Sequence, residues 1–598
     1  GESAAQETRE HGEATAADKR DVEEATAQET RRAALDEAGE DVEETLAFLP
    51  CERAADVVGE TLVEEAPATL SSWPLYEIEL EVKLEERRVS GRMQISLAAP
   101  ETGLSSLILV EPPGERQGED SPVRVTTVNV RQGSGETLEQ ARFERSGGRV
   151  EVRLPRPAHR GEETVLLLSL EGRLARRGQG LLPETMGMLR GAGGGIGVAG
   201  AVATDGTGVT LLGAHPVLAA FPDGTSATSA GAPWGPRAAA PAACQIMTLL
   251  APPGLQAVAT GEMVGEVPEP ENRVRYTFVA AGARRMGALL RPVDMARHAR
   301  RVGEVEVRAT ASSPEVAAEM SGWAAGVFRV YEQRYGAYPW RRLELVEAPM
   351  TGAMAGMRAA GLVVVNDMAS SGAAMIGGLG PPGTESFVQE IAIAHQMAHQ
   401  WFGEIVHAGG AEEPAIEEAL AWQAVLDYTR TRHGAAAANR IRTRMVDLAY
   451  HTWRLGGGPD GPADRPLEAI LQTGGPGAFL GLCDGKAPGL LEAVAEAVGR
   501  GHLRRALRRY AAEGRFGEVG RQELSAAVLE AAPAARKGRV EPLFRRWLDE
   551  ARGDEDLGDS MAAVTSAAVG EIGMDLDQEM LEALLQQFLQ GFGGPAGP

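Results

Sequence analysis

The sequence predicts a multidomain α+β protein, a β-rich amino-terminal half followed by a mainly helical carboxy-terminal half. Two observations carry that prediction. Between residues 71 and 297 apolar side chains recur with period two, the signature of half-buried strands, and beyond about residue 300 they recur with the period of a helix. A third observation, a histidine pair four residues apart with a glutamate nineteen positions later, places the candidate chemistry in the helical half.

A chain of 598 residues is long enough for several domains with large apolar cores. Its net charge of −25 argues against nucleic acid and anionic membrane as partners, because both require a basic face. The charge sits at the ends. Residues 1–66 hold 20 acidic and 6 basic residues, and the last 48 hold 9 and 1, so the middle is close to neutral. No apolar run reaches the length of a transmembrane helix, and no signal peptide is visible. The chain starts at Gly1 rather than Met; one explanation is a mature exported protein. Cys51, Cys244 and Cys483 form no CxxC pair, which excludes a cysteine metal site and a disulfide scaffold. One bridge is allowed, but isolated thiols are the plainer expectation.

Residues 1–70 read as an acidic leader, polar at first and helical from about Arg32 to Glu65. The β domain, 71–297, opens with Tyr76, Ile78, Leu80, Val82 and Leu84 alternating with Glu77, Glu79, Glu81 and Lys83. Met93, Ile95 and Leu97 repeat the alternation after a turn expected near Ser90-Gly91, and Val150 to Leu154 and Val165 to Leu170 continue it. Stretches 190–210 and 222–242 are Gly/Pro-rich and expected to be loops. Ser313-Pro314 is a helix start, with Val316, Met320, Trp323, Val327 and Tyr331 along one face. Leu343 to Val346 and Leu362 to Val365 suggest strands inside the third unit, 298–455. A helical region, 456–553, follows, with breaks at Gly456–Pro462 and Gly474–Gly477. The acidic tail, 554–598, carries an amphipathic helix with Leu576, Met580, Leu584, Phe588 and Phe592 spaced by four, read as docking on its own protein rather than on a partner.

The chemistry concentrates in His395-Gln396-Met397-Ala398-His399-Gln400-Trp401-Phe402-Gly403. Histidines at i and i+4 project from one helix face, close enough to share a metal. Alone, such a pair is more often incidental. Glu418, inside the helical run Ala415–Trp422, adds a carboxylate; two imidazoles and one carboxylate leave the fourth tetrahedral position of Zn²⁺ open. His407 and the remaining histidines show no ligand spacing.

Here the sequence resembles the zinc aminopeptidases of the membrane alanyl aminopeptidase type, members of the gluzincin metallopeptidases. Their signature is HExxHQWFG with a glutamate, in an NEG-like motif, separated from the second histidine by eighteen residues, and only the second position of HExxHQWFG differs here. Tyr335-Gly336-Ala337-Tyr338-Pro339 matches the family's G-x-Y-P element, and residues 343–348 match the strand after it. Phe544 to Leu548 is similar to the family's closing FxxWL piece, so the resemblance covers roughly 70–548. It implies an N-terminal β domain, a thermolysin-like domain holding zinc on His395, His399 and Glu418, and a helical C-terminal part.

The resemblance also locates three departures. The general-base glutamate is replaced by Gln396, an amide that cannot accept a proton from water at ordinary pH. Aligned on Gly361-Leu362, the family's GAMEN motif puts Met357 on its methionine and Arg358 on its amine-binding glutamate; aligned on Gly352-Ala353-Met354, it puts Ala355 there. Neither register supplies the carboxylate, and Arg358 is expected to repel a substrate ammonium. The oxyanion-stabilising tyrosine falls on Gly474. Three departures together describe a natural pseudoenzyme that keeps the fold and its zinc and acts in binding or assembly, with a peptide or protein as its ligand. The alternative is an active zinc peptidase with a substitute base. Glu417 is expected to face away from Glu418, and Glu404 to lie outside direct metal contact, so neither is a good substitute. A third reading, a metal-free structural protein, leaves the histidines as ordinary core or surface groups.

Overall fold

The computed structural model describes residues 73–99, 103–112, 121–133, 137–146, 148–176, 202–219, 240–349, 356–366, 385–408 and 414–572. The leader helices and the apolar stretch 576–592 lie outside these residues. Strand Leu75–Lys83 turns Tyr76, Ile78, Leu80 and Val82 into the core, as its alternation requires. It runs inside an eight-stranded sheet, antiparallel to Arg88–Ala98 and parallel to Ala243–Ala251. The turn between the first two strands comes earlier than Ser90-Gly91. It occupies residues 84–87, where Arg87 adopts φ 51°. Gly91 lies inside the second strand opposite Leu80, and a Cβ there would stand 1.8 Å from the Glu79 carbonyl oxygen. This glycine marks a close approach of two strands and not a turn.

Strands Val202–Thr204 and Val209–Leu212 pass through the stretch expected to be loop at 190–210. They join Leu255–Ala259 and Gly287–Pro292 in a five-stranded sheet. Cys244 is disulfide-bonded, contrary to the expectation of isolated thiols, whereas Cys483 is buried and outside any disulfide.

Strand continues beyond residue 300, where the periodicity suggested helix. Strands β1 (Ala296–Val302) and β2 (Val305–Ala311) form a hairpin before helix α1 (Pro314–Tyr335). Short strands with outward-facing arginines, such as Arg297, Arg300 and Arg301, carry too few apolar residues to register as period two. Ser313 caps α1 by accepting the Val316 N–H at 3.3 Å, with Pro314 at the first helical position. Strands β3 (Arg342–Ala348), β4 (Gly356–Ala359) and β5 (Leu362–Asn366) complete a mixed five-stranded sheet in the order β1-β2-β3-β5-β4. Strands β2, β3 and β5 are mutually parallel, and β4 is an antiparallel edge.

Helix α2 (Glu385–Trp401) packs on α1, β4 and β5, and helix α3 (Pro414–Arg432) packs on α2. Polar contacts fix α2 in that place. Gln400 is fully buried; it accepts the Gly361 N–H at 2.9 Å and the Tyr338 hydroxyl at 3.2 Å, and donates to the Ala359 carbonyl at 3.0 Å. One side chain of α2 therefore sets the position of the β4–β5 turn. The Trp401 indole N–H donates to the Gly336 carbonyl at 3.0 Å, and the Tyr331 hydroxyl donates to the Ala394 carbonyl at 3.0 Å, tying both ends of this segment to α1.

Beyond α3, helix α4 (Leu448–Leu455) carries Trp453, and helix α5 (Leu467–Phe479) continues through a bend at Gly474–Gly475. Gly458 and Gly474, expected only to interrupt the helices, cradle the Trp453 ring together with Gly481. A Cβ at Gly458, Gly474 or Gly481 would lie 2.1, 2.2 or 2.4 Å from it. Replacing Gln400 with Ala is expected to cost about 2–4 kcal/mol in urea denaturation, because it strands buried partners at Gly361 and Tyr338 together.

Candidate metal centre

One turn of α2 brings His395 and His399 into line, and α3 returns antiparallel to lay Glu418 across them. The atoms that converge are His395 Nε2, His399 Nε2 and Glu418 Oε2. Their separations are 3.2 Å between the two imidazoles and 3.5 and 3.4 Å from Oε2 to His395 and His399. Tetrahedral Zn²⁺ with bonds of about 2.05 Å has ligand–ligand edges of roughly 3.3 Å. The three edges match that geometry, and the donor set, two neutral nitrogens and a carboxylate oxygen, is one that zinc takes. Burial pushes the His395 imidazole below its ordinary range, with Glu418 opposing the shift, so burial favours the neutral form that can act as a ligand.

Glu417 is not turned away from the site. Successive helical residues are about 100° apart, so the two carboxylates straddle the His399 ring instead of pointing in opposite directions. Glu418 faces Nε2, and Glu417 Oε1 stands 2.9 Å from Nδ1. Arg358, on edge strand β4, pairs through Nη2 with the same Glu417 oxygen and has Glu404 at 3.8 Å from its Nε. Arg358 thus sits in a largely buried ion group beneath the candidate ligands. Its charge is directed at Glu417 and Glu404. Burial raises the Glu404 carboxyl above the ordinary carboxylate range, and Arg358 partly opposes that.

Met357, on the other face of β4, is 3 % exposed and packs with Leu212, Val258, Leu289, Val346 and Val364. It is a core residue. Gln396 lies between the two histidines on α2 and is half-buried, with its Oε1 buried and without a hydrogen-bond partner. Strand β4 passes so close that a Cβ on Gly356 would be 2.6 Å from Gln396 Cγ. Ala355, the other candidate for the amine-binding position, lies outside the described residues. Gly474 offers no hydroxyl and stands against Trp453.

Two residues that sequence reasoning passed over complete the surroundings. Trp422 packs on the His395 ring with centroids 4.6 Å apart, and its indole N–H donates to Asp484 at 3.0 Å from the π-helical segment Leu480–Lys486. Trp422 follows Glu418 by four positions, so helical spacing alone places it on the ligand's face. Nothing local in the sequence connects Asp484 or Arg358 to the histidines.

With this geometry in place, solved structures give the comparison. An M1 zinc metallopeptidase from Deinococcus radiodurans aligns with a TM-score of 0.53 at 18% identity, over 79% of this chain and 94% of that one. A variant of that enzyme bound to a Tyr-Ser-Ala substrate aligns with a TM-score of 0.54 at 18% identity, over 80% and 95%. The fold is that of the M1 zinc metallopeptidases. No family model and no curated protein matches the sequence.

Restoring a tyrosine at position 474 is expected to destabilise the chain by about 3 kcal/mol or more, since the Trp453 ring occupies the space its Cβ needs. Thermal unfolding of Gly474→Tyr beside Gly474→Ala measures this; unchanged stability in both would contradict the cradle.

Proposed function

We propose that this chain is a zinc-binding relative of the M1 metallopeptidases that has lost hydrolysis and acts as a binding or assembly protein, with a peptide or protein segment as its ligand. The observation that carries the reading is an intact ligand trio beside Gln396. His395, His399 and Glu418 would hold the metal. A zinc ion so bound supplies Lewis acidity and lowers the pKa of its water.

The chain's own groups do not complete the reaction. Gln396 can donate from its amide nitrogen or accept at Oε1, but it cannot take up the proton that a hydrolytic water must lose. A missing general base costs on the order of a hundred- to ten-thousand-fold in rate. Arg358 leaves no carboxylate for a free amino terminus, which removes the anchor of aminopeptidase specificity. Gly474 provides no hydroxyl for an oxyanion.

The alternative, an active peptidase with a substitute base, needs a carboxylate on the Nε2 side of the ligands. Glu417 faces the opposite nitrogen of His399, and Glu404 faces Arg358. Both therefore speak for the non-hydrolytic reading.

Loading with zinc and removing the excess should leave one zinc per chain by elemental analysis, lost in His395→Ala and in His399→Ala. A wild-type chain that retains none would remove the metal centre altogether. Gln396→Glu is expected to show little or no gain on aminoacyl substrates, because Arg358 and Gly474 remain. Strong recovery in that single variant would show that the other two positions were misread.

A further inference from the structure

Glu417 is buried beside the candidate ligands and Arg358 is half-buried against it, and neither has yet been given a role toward the metal. Glu417 is 1 % exposed, and a carboxylate desolvated to that degree is costly unless it is paired and hydrogen-bonded. It has both requirements from two directions, with the Arg358 guanidinium on one side and His399 Nδ1 at 2.9 Å on the other.

We propose that Glu417 and Arg358 are the positioning pair of the metal centre, so that the position which anchors a substrate amine in the resembling enzymes here supports a metal ligand. The inference rests on the reading of His395, His399 and Glu418 as zinc ligands. An imidazole that binds metal through Nε2 must carry its proton on Nδ1, and an acceptor at Nδ1 selects that tautomer and fixes the ring's rotation. The Phe402 carbonyl at 3.3 Å is the competing acceptor, longer and uncharged. Arg358, paired with the same Glu417 oxygen, holds the carboxylate against the ring.

A separate steric observation agrees. Gly403, in the turn that ends α2, has φ 157°, and a Cβ there would lie 3.1 Å from both Arg358 Nη2 and Glu417 Oε1. The turn has room for the ion pair and for nothing more.

The test is zinc affinity of the full chain, measured by competition with a chromophoric chelator, with the visible spectrum of the cobalt-loaded protein as a report on ligand geometry. Glu417→Gln is expected to weaken zinc about ten- to a hundredfold and to alter the cobalt spectrum. Arg358→Met should weaken it in the same direction, and Arg358→Lys should recover part of the loss. The double variant Arg358→Met/Glu417→Gln removes both charges of the pair together and leaves Glu404 as the remaining acid of the ion group; its fold is checked by circular dichroism, and it should still bind weakly. If that double variant and Glu417→Gln bind as tightly as wild type while His399→Ala does not bind, the positioning role is overturned and the ligand assignment stands. If wild type itself takes no zinc, the ligand assignment fails first and this inference falls with it.

Discussion

Two imidazole nitrogens and a carboxylate oxygen, buried together within 3.5 Å of one another, are an expensive arrangement without a cation between them. Much of the β1–β5 sheet and of helices α1 to α3 serves to hold that arrangement. Helix α1 receives Trp401 and reaches Ala394 through Tyr331, which sets where α2 lies. Gln400 reaches back to the β4–β5 turn, which brings the edge strand past Gln396. Trp422 shields one ligand ring and Glu417 holds the other. The scaffold conserves the placement of the donors, whatever has become of the reaction.

The three departures from the resembling enzymes differ in chemistry but share a structural property: each is built into its neighbours. Gly356 leaves no room beside Gln396. Arg358 is matched by Glu417 and Glu404, so a carboxylate at its position would meet two others. Gly474 yields its volume to Trp453. Such coupling makes stepwise reversion costly, because each restored group enters a space or a charge field adapted to its absence.

Legibility in the sequence followed the length scale of each signal. The alternation from Tyr76 to Val82 and the face of α1 were plain, because burial imposes a period over many residues. The His395, His399 and Glu418 trio was legible because helix geometry converts spacing into proximity. Gly91 misled because a glycine in a turn and a glycine under a crossing backbone look alike in one dimension. The β1–β2 hairpin was hidden by exposed arginines. Glu417 was misplaced because adjacency on a helix means a turn of about 100°, enough to reach the far side of one ring but not to leave the site. Arg358, Asp484 and the Trp453 cradle depend on contacts between segments far apart in sequence, which no local pattern encodes.

Binding without hydrolysis is the central claim, and a mixed peptide library tests it most directly. The zinc-loaded chain is incubated with the library, with and without a chelator, and the products are read by mass spectrometry. Intact peptides are expected in both arms while zinc remains bound in the first. Cleavage that the chelator abolishes would contradict this reading, and cuts at amino termini would show that an amine anchor survives despite Arg358.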